Sequence, residues 1–303
     1  MRKSRLIVLY AAAGMYVVLA GGCSSSATAP PPSAPHLYAA ESNTNQVAVV
    51  KLALTMTSLP AFNIAGFNFN SGVAFDSAKN LYVTSTTAGS IVVFNPPYSA
   101  SSAPAFTIAG AASMLIHPQL LGFDALGNLW VADQAAKVLK FTPPFSAAST
   151  PAQTVSNSVN SAQGVAFDAA SNLYVADNNA ALEVFAPPYN LAPIKVTTGL
   201  QFPMAVITDS SNAYVADLGA KGVVVFSLPV AAAAGPAFTI TLGLGNGPDA
   251  LTFDSSANLY VSTNAGEIVI FVPPFSATSA PVLTVSCFVS PASCLTRQLA
   301  FGP

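Results

Sequence analysis

The chain has 303 residues, 52% of them hydrophobic and only 7% charged, and its ten Lys/Arg against twelve Asp/Glu give a formal net charge of −2. No basic run is present, which excludes nucleic acid as a natural partner. The high mean hydropathy, +0.55, does not imply a membrane-spanning domain: beyond the N-terminal leader no apolar run approaches the ~20 residues a spanning helix needs.

Arg2, Lys3 and Arg5 form a positive patch, Leu6 to Ala20 an apolar stretch, and Ala20-Gly21-Gly22 then leads into Cys23. Residues 1–22 are therefore predicted to be a signal peptide. The segment resembles a bacterial lipoprotein signal, which implies a lipidated Cys23 that anchors an exported chain to a membrane of the cell envelope. An ordinary secretory signal and an uncleaved anchor are the alternatives. Residues 23–35 continue as a Ser/Ala/Pro-rich tether (SSSATAPPPSAP after Cys23), a composition that stays extended and forms no core. With Cys23 assigned to lipid, Cys287 and Cys294 remain as a pair, and a short-loop disulfide is the expectation for an oxidising compartment. Neither a C-x-x-C nor a nearby histidine supports a redox or metal role for them.

Six repeated units follow. An aromatic residue recurs as Tyr38, Tyr82, Trp130, Tyr174, Tyr214 and Tyr260, at intervals of 40 to 48 residues. A second anchor trails it as Val50, Phe94, Phe141, Phe185, Phe226 and Phe271, and a proline (Pro60, Pro104, Pro151, Pro193, Pro236, Pro281) opens the last strand of each unit. Within the second unit the apolar runs are GVAF (72–75), LYVTS (81–85), IVVF (91–94) and AFTI (105–108), separated by turn residues. That is a strand-and-hairpin pattern, and no 3.6-residue apolar period is sustained after the leader. Repeats of this length mark solenoids or propellers. The first unit lacks an opening strand, and its counterpart, Gln298 to Gly302, stands alone at the other end. The predicted fold is all-β: a six-bladed β-propeller over residues 36–303, with four-stranded antiparallel blades and the first blade closed by the C-terminal strand.

The stretch GVAFDAASNLYVADNNAALEVF, from Gly164 to Phe185, resembles an NHL repeat. The resemblance covers the chain from about Pro35 onward and implies a propeller whose relatives serve as binding platforms, lyases or hydrolase-like enzymes. The chain departs from that pattern in lacking third-strand basic residues. It adds Pro-Pro-aromatic turns ending in Tyr98, Phe145, Tyr189 and Phe275.

Several polar positions recur. Asp76, Asp124, Asp168, Asp209 and Asp254, each followed by an Asn, are expected to close hairpins rather than ring a calcium ion. Asp133, Asp177 and Asp217 end second strands on the opposite face, with Glu41, Thr84 and Ser262 as their expected counterparts; turn capping and ligand binding are both open to them. The Pro-Pro-aromatic rings are expected to pack between blades, with an exposed rim suited to sugars or an apolar partner as the alternative. Asn70, Gln119, Gln163, Met204, Asp249 and Gln298 precede the first strands and are expected to converge on the central channel. Gluconolactonase-like propellers place metal ligands there, but one carboxylate among amides is a poor set for calcium, so no cofactor is expected beyond a weakly supported divalent cation. His117 is a candidate base. With only His36 and His117 in the chain, the three-histidine zinc site of amidating lyases is excluded. The expected function is a lipid-anchored binding or scaffolding platform for a protein, peptide or glycan. A divergent lactonase- or lyase-like enzyme is the alternative.

Overall fold

In a computed structural model, described for residues 35–243, 245–286 and 295–303, the repeats form six four-stranded antiparallel sheets. The predicted signal, the tether up to residue 34, Cys23, Cys287 and Cys294 lie outside the described residues. The single helical element is one 3-10 turn at Ala111–Ser113, among the described residues, and none of their helices is long and apolar enough to cross a membrane.

Each blade runs from an inner strand outward. The fourth repeat shows the logic: Ala162–Phe167, Leu173–Asp177, Ala181–Phe185 and Ile194–Val196 pair in that order. Every residue of its second and third strands is buried, because alternate side chains face opposite neighbours. Tyr174 and Ala176 join the core shared with the fifth blade. Leu173 and Val175 join the core shared with the third. Six such apolar cores form, one at each blade junction, including the one between the sixth and first blades. Strands apolar on both faces account for the hydropathy without a bilayer. The outer strands are only three or four residues long, and short edges resist pairing with other chains.

The first blade is completed as expected. Thr296–Gly302 pairs with His36–Glu41 in the order that the inner strand takes in other blades, Leu37 opposite Phe301 and Ala39 opposite Leu299. Tyr38 donates its hydroxyl to the Pro303 carbonyl at 2.9 Å. The closing strand also reaches past its own blade. Gln298 Oε1 accepts the Val73 amide of the second blade at 2.9 Å, and Gln298 Nε2 donates to the Leu121 carbonyl of the third at 3.1 Å. Gly72 makes room for this, since a Cβ there would come within 2.6 Å of the Gln119 carbonyl oxygen.

The Pro-Pro-aromatic turns pack between blades. Tyr82, Phe123 and Phe145 form a triad with centroids 5.1–6.2 Å apart, and Tyr38, Phe75 and Tyr98 repeat it one junction earlier. Trp130, Phe167 and Tyr189 and Tyr214, Phe253 and Phe275 complete the set. In each triad the second-strand ring of one blade meets two rings of the next, and most contacts are edge-to-face, the arrangement that ring quadrupoles favour.

One residue breaks the apolar pattern of the junctions. The third-strand position occupied by Ala48, Val92, Leu139, Val224 and Val269 holds Glu183 in the fourth blade, fully buried. Its Oε1 meets Lys195 Nζ at 3.2 Å, while Oε2 has no partner. Burial, with Asp177 nearby, pushes its pKa up to about 7 despite Lys195. Replacing a buried ion with a packed apolar side chain is often neutral or stabilising, and the Lys195 side chain is exposed enough to be rehydrated.

Two expectations follow from this architecture. Deleting residues 297–303 should abolish cooperative unfolding, because it strips a blade of its inner strand; an unchanged thermal melt would refute the closure. Glu183→Leu should raise stability at pH 8 by roughly 1–4 kcal/mol. A carboxyl whose folded pKa is raised holds its proton longer in the native state, so stability falls as pH rises from about 4.5 to about 7. Melts across that window should show a shallower fall in the variant, the residual slope belonging to Glu41 and Asp249.

Candidate functional site: the channel mouth

The hairpin carboxylates are structural clasps. Asp124 accepts the Leu126 and Asn128 amides at 3.0 and 2.9 Å, the Asn128 side chain at 2.8 Å and the Trp130 indole N–H at 2.9 Å. Burial alone would raise its pKa, yet the Asn128 and Trp130 hydrogen bonds hold it below the ordinary value. Asp76, Asp168 and Asp209 make the same clasp to Tyr82, Tyr174 and Tyr214. Each clasp therefore fixes the turn and orients the second-strand ring. In the first blade, the Pro303 carbonyl takes the place of the aspartate.

On the opposite face, Asp133, Asp177 and Asp217 are fully buried and bind backbone amides. Asp133 accepts the N–H groups of Ile116, His117 and Ala135 at 2.8, 3.1 and 2.9 Å. Asp177 accepts those of Asn160, Ser161 and Asn179, and Asp217 those of Gln201, Phe202 and Ala220. Each carboxylate ties the incoming inter-blade loop to the following hairpin. Strand register corrects their expected counterparts: Asp133 pairs with Pro118 as Ser85 pairs with Asn70 and Thr263 with Pro248. The equivalents are thus Ser85 and Thr263, not Thr84 and Ser262. Ser85 Oγ accepts the Asn68 amide at 2.8 Å. Thr84 instead bridges strands, accepting the Gly72 amide and donating to the Gln119 carbonyl. Glu41, the first-blade equivalent, accepts the Thr296 hydroxyl at 2.6 Å, and burial lifts its pKa to about 7.

The beginning of every inner strand carries a register shift against its neighbour. A bulge adds one residue and re-aims the side chains there. Counting back from the paired positions Val73, Leu121, Val165, Val206, Leu251 and Leu299 gives one equivalent ring: Ser71, Gln119, Gln163, Met204, Asp249 and Arg297. Asn70 and Gln298 are each displaced by one from this ring. Asn70 is buried and donates to the Gln46 carbonyl at 2.8 Å; Gln298 spans the blades as described. The position before the inner strand forms a rim of Phe69, His117, Ser161, Phe202, Gly247 and Leu295. His117 is exposed, its amide held by Asp133 and its carbonyl receiving Gln119 Nε2 at 3.3 Å. Gln163 accepts from Gln134 and donates to Ser161. Below the ring, Leu120 is buried with Ala205 and Ala250 in one cluster.

Arg297 is the residue that sequence reading missed. Its guanidinium lies 3.7 Å from Asp249 Oδ1 and 5.9 Å from the Phe69 ring centroid. Burial pushes the Asp249 pKa up to about 6, with Arg297 opposing. Asp249 Oδ2, Arg297 Nε and Asn70 Oδ1 are buried without a hydrogen-bond partner. A neighbouring guanidinium makes Asp249 a poor cation ligand, and among the described residues no three His, Cys, Asp or Glu side chains gather as a metal set. Aligning all six units on their inner-strand valine or leucine, and not on the preceding turn, would have found Arg297.

No protein-family model matches the sequence, and no curated protein is similar enough to count as a relative. Solved structures do resemble it. A chain of the nidogen/laminin complex superposes with a TM-score of 0.67 at 18% identity, covering 89% of this chain and 98% of that one. A protein of unknown function from Bacteroides caccae gives 0.64 at 14% identity, covering 89% and 99%. One from Desulfotomaculum acetoxidans DSM 771 gives 0.59 at 12%, covering 86% and 83%. These likenesses extend to the fold.

The two kinds of buried aspartate should respond differently to mutation. Asp217→Ala strands three backbone donors and should cost about 3 kcal/mol or more, a fall of roughly 6–12 °C in Tm. Asp249→Asn at pH 8 removes a charge that burial already disfavours, and the Arg297 side chain that it leaves unpaired is 22% exposed to water. The cost should be about 1 kcal/mol, a fall of roughly 2–4 °C in Tm. Equal losses in thermal melts would make Asp249 another loop clasp.

Proposed function

We propose that the chain is an exported, lipid-anchored β-propeller of NHL type that acts as a non-catalytic binding platform for a protein, peptide or glycan. The observation that carries this reading is how the polar groups are used. The recurring carboxylates are consumed by backbone amides and clasps, whereas the loop that enters the third blade presents two exposed apolar groups, Met114 and Ile116, next to the exposed His117. Neighbouring exposed apolar side chains rimmed by polar ones are the composition of an interaction surface. The Cys23 lipid and the tether from Ser24 to Pro35 would hold this surface at a membrane, and the Cys287–Cys294 disulfide would fit the same compartment.

The second reading, a lactonase- or lyase-like enzyme, draws on one observation: Asp249 is buried at the channel mouth with its pKa raised to about 6, a property that catalytic acids share. Arg297 weighs against a cation there. Metal analysis of the purified full chain, with melts in calcium and in EDTA, separates the two. The platform reading expects no stoichiometric ion and no shift in Tm. A bound ion that is lost in Asp249→Asn would overturn it in favour of the enzyme. Metabolic labelling with an alkyne fatty acid tests the anchor, and label that survives Cys23→Ala would rule out the assigned lipid site.

A further inference from the structure

We infer that the cavity at the loop entering the third blade binds the free C-terminal residue of a peptide, its carboxylate on Lys137 and its apolar side chain against Met114 and Ile116. This rests on the platform reading and names the ligand class for that surface. The cavity holds about 460 Å³ and lies between the Ala88-Gly89 hairpin of the second blade and the loop that carries Met114 and Ile116, with Lys137 in its wall. The loop's shape is fixed by its own chain. Ser113 Oγ donates to the Gly110 carbonyl at 2.8 Å, the Met114 amide donates to the Ala111 carbonyl at 3.2 Å, and Asp133 accepts the Ile116 amide at 2.8 Å. Leu115 is buried in the core between the second and third blades. Met114 and Ile116, 45% and 50% exposed, are left on the surface.

Lys137 sets the charge of the ligand. It is 9% exposed, and among the described residues its ammonium has neither an ion pair nor a hydrogen bond. Asp133 stands opposite it on the paired strand but is spent on three backbone amides. Unlike the Nε of Arg297, the Lys137 Nζ is not sealed from water, so a ligand can reach it. The registered position in four other blades holds Gln46, Ser90, Ala181 and Gly222. This cation therefore belongs to the third blade and not to the repeat. No Asp or Glu lines the cavity. A single cation among apolar walls fits a monoanion whose charge adjoins an apolar group. The last residue of a peptide has that form, because its carboxylate and its side chain branch from one Cα. A free amino acid would bring an ammonium with no acidic group to meet it. A long acyl chain is suited to a closed tunnel, whereas this cleft is open to water.

The test is fluorescence polarisation with the full chain in a neutral detergent. The probes are dye-labelled hexapeptides of sequence Gly-Ser-Gly-Ser-Ala-X, where X is Val, Leu, Ile or Phe, each made as the free acid and as the C-terminal amide. Octanoate is the competitor. At least one free acid should bind saturably, with its amide weaker by roughly tenfold or more. Lys137→Gln should bring acid and amide to equal affinity, and Ile116→Ser should weaken both. Leu126→Ser, on the opposite face, should bind as wild type does. If Lys137→Gln fails to fold, Ile116→Ser and the acid-to-amide ratio on the wild type decide. Failure of all four acids, or equal binding of acid and amide, overturns the inference. Octanoate bound in a manner lost in Lys137→Gln, with no peptide bound, overturns the peptide class. The platform reading falls separately, on a stoichiometric ion that is lost in Asp249→Asn.

Discussion

Every blade of this molecule is apolar on both faces, and that single constraint governs the rest. A sheet buried on one side can leave its other side in water; these cannot, since four of the second strands are buried at every residue and the other two at all but their first. Each blade needs two neighbours, so an open row would leave two apolar faces uncovered. Closing the ring removes the problem, and the closing strand does so by joining the last stretch of chain to the first blade. Gln298 adds hydrogen bonds from that strand to the second and third blades, so closure is secured along the axis as well as along the edge.

The fold was legible because the repeat is a physical periodicity. Alternating apolar strands, Asp/Asn hairpins and a missing first strand each had one economical explanation, and the sheets follow it. The channel mouth was less legible for an equally physical reason. A bulge adds a residue at the start of every inner strand, and a one-residue offset exchanges the faces on which side chains lie. Counting from the turns therefore placed Asn70 and Gln298 in the ring in place of Ser71 and Arg297. Thr84 and Ser262 stand one residue short for a different reason: the equivalent of Asp133 lies three residues after the strand's aromatic ring, which is Ser85 and Thr263. Strand identity can be read from composition, whereas bulge position depends on hydrogen-bond pairing that composition does not encode.

Recurrence and deviation carry different information in such a molecule. Asp76, Asp124, Asp168, Asp209 and Asp254 recur because every hairpin poses the same problem of unpaired amides. Asp133, Asp177 and Asp217 recur for the loops on the other face. Glu183, Asp249 and Arg297 do not recur, and each has a buried atom without a partner. Glu183 lies inside a blade junction, where its ionisation opposes stability. Asp249 and Arg297 lie at the start of the inner strands, Asp249 buried and the Arg297 side chain partly exposed.

The axis itself requires such deviations. Six identical side chains meeting there would clash if large, leave a void if small, and repel one another if charged. The inner strands resolve this with unequal residues: Gly72 and Gly164 allow close backbone approach, Ala205 and Ala250 leave space, and Leu120 and Gln298 fill it. The same reasoning applies one layer up, where a single carboxylate and a single guanidinium replace any ring of like charge. An asymmetric mouth on a symmetric scaffold thus follows from packing and electrostatics before any selection for a ligand. Under the platform reading, a ligand is therefore to be sought at the residues that the repeats do not share.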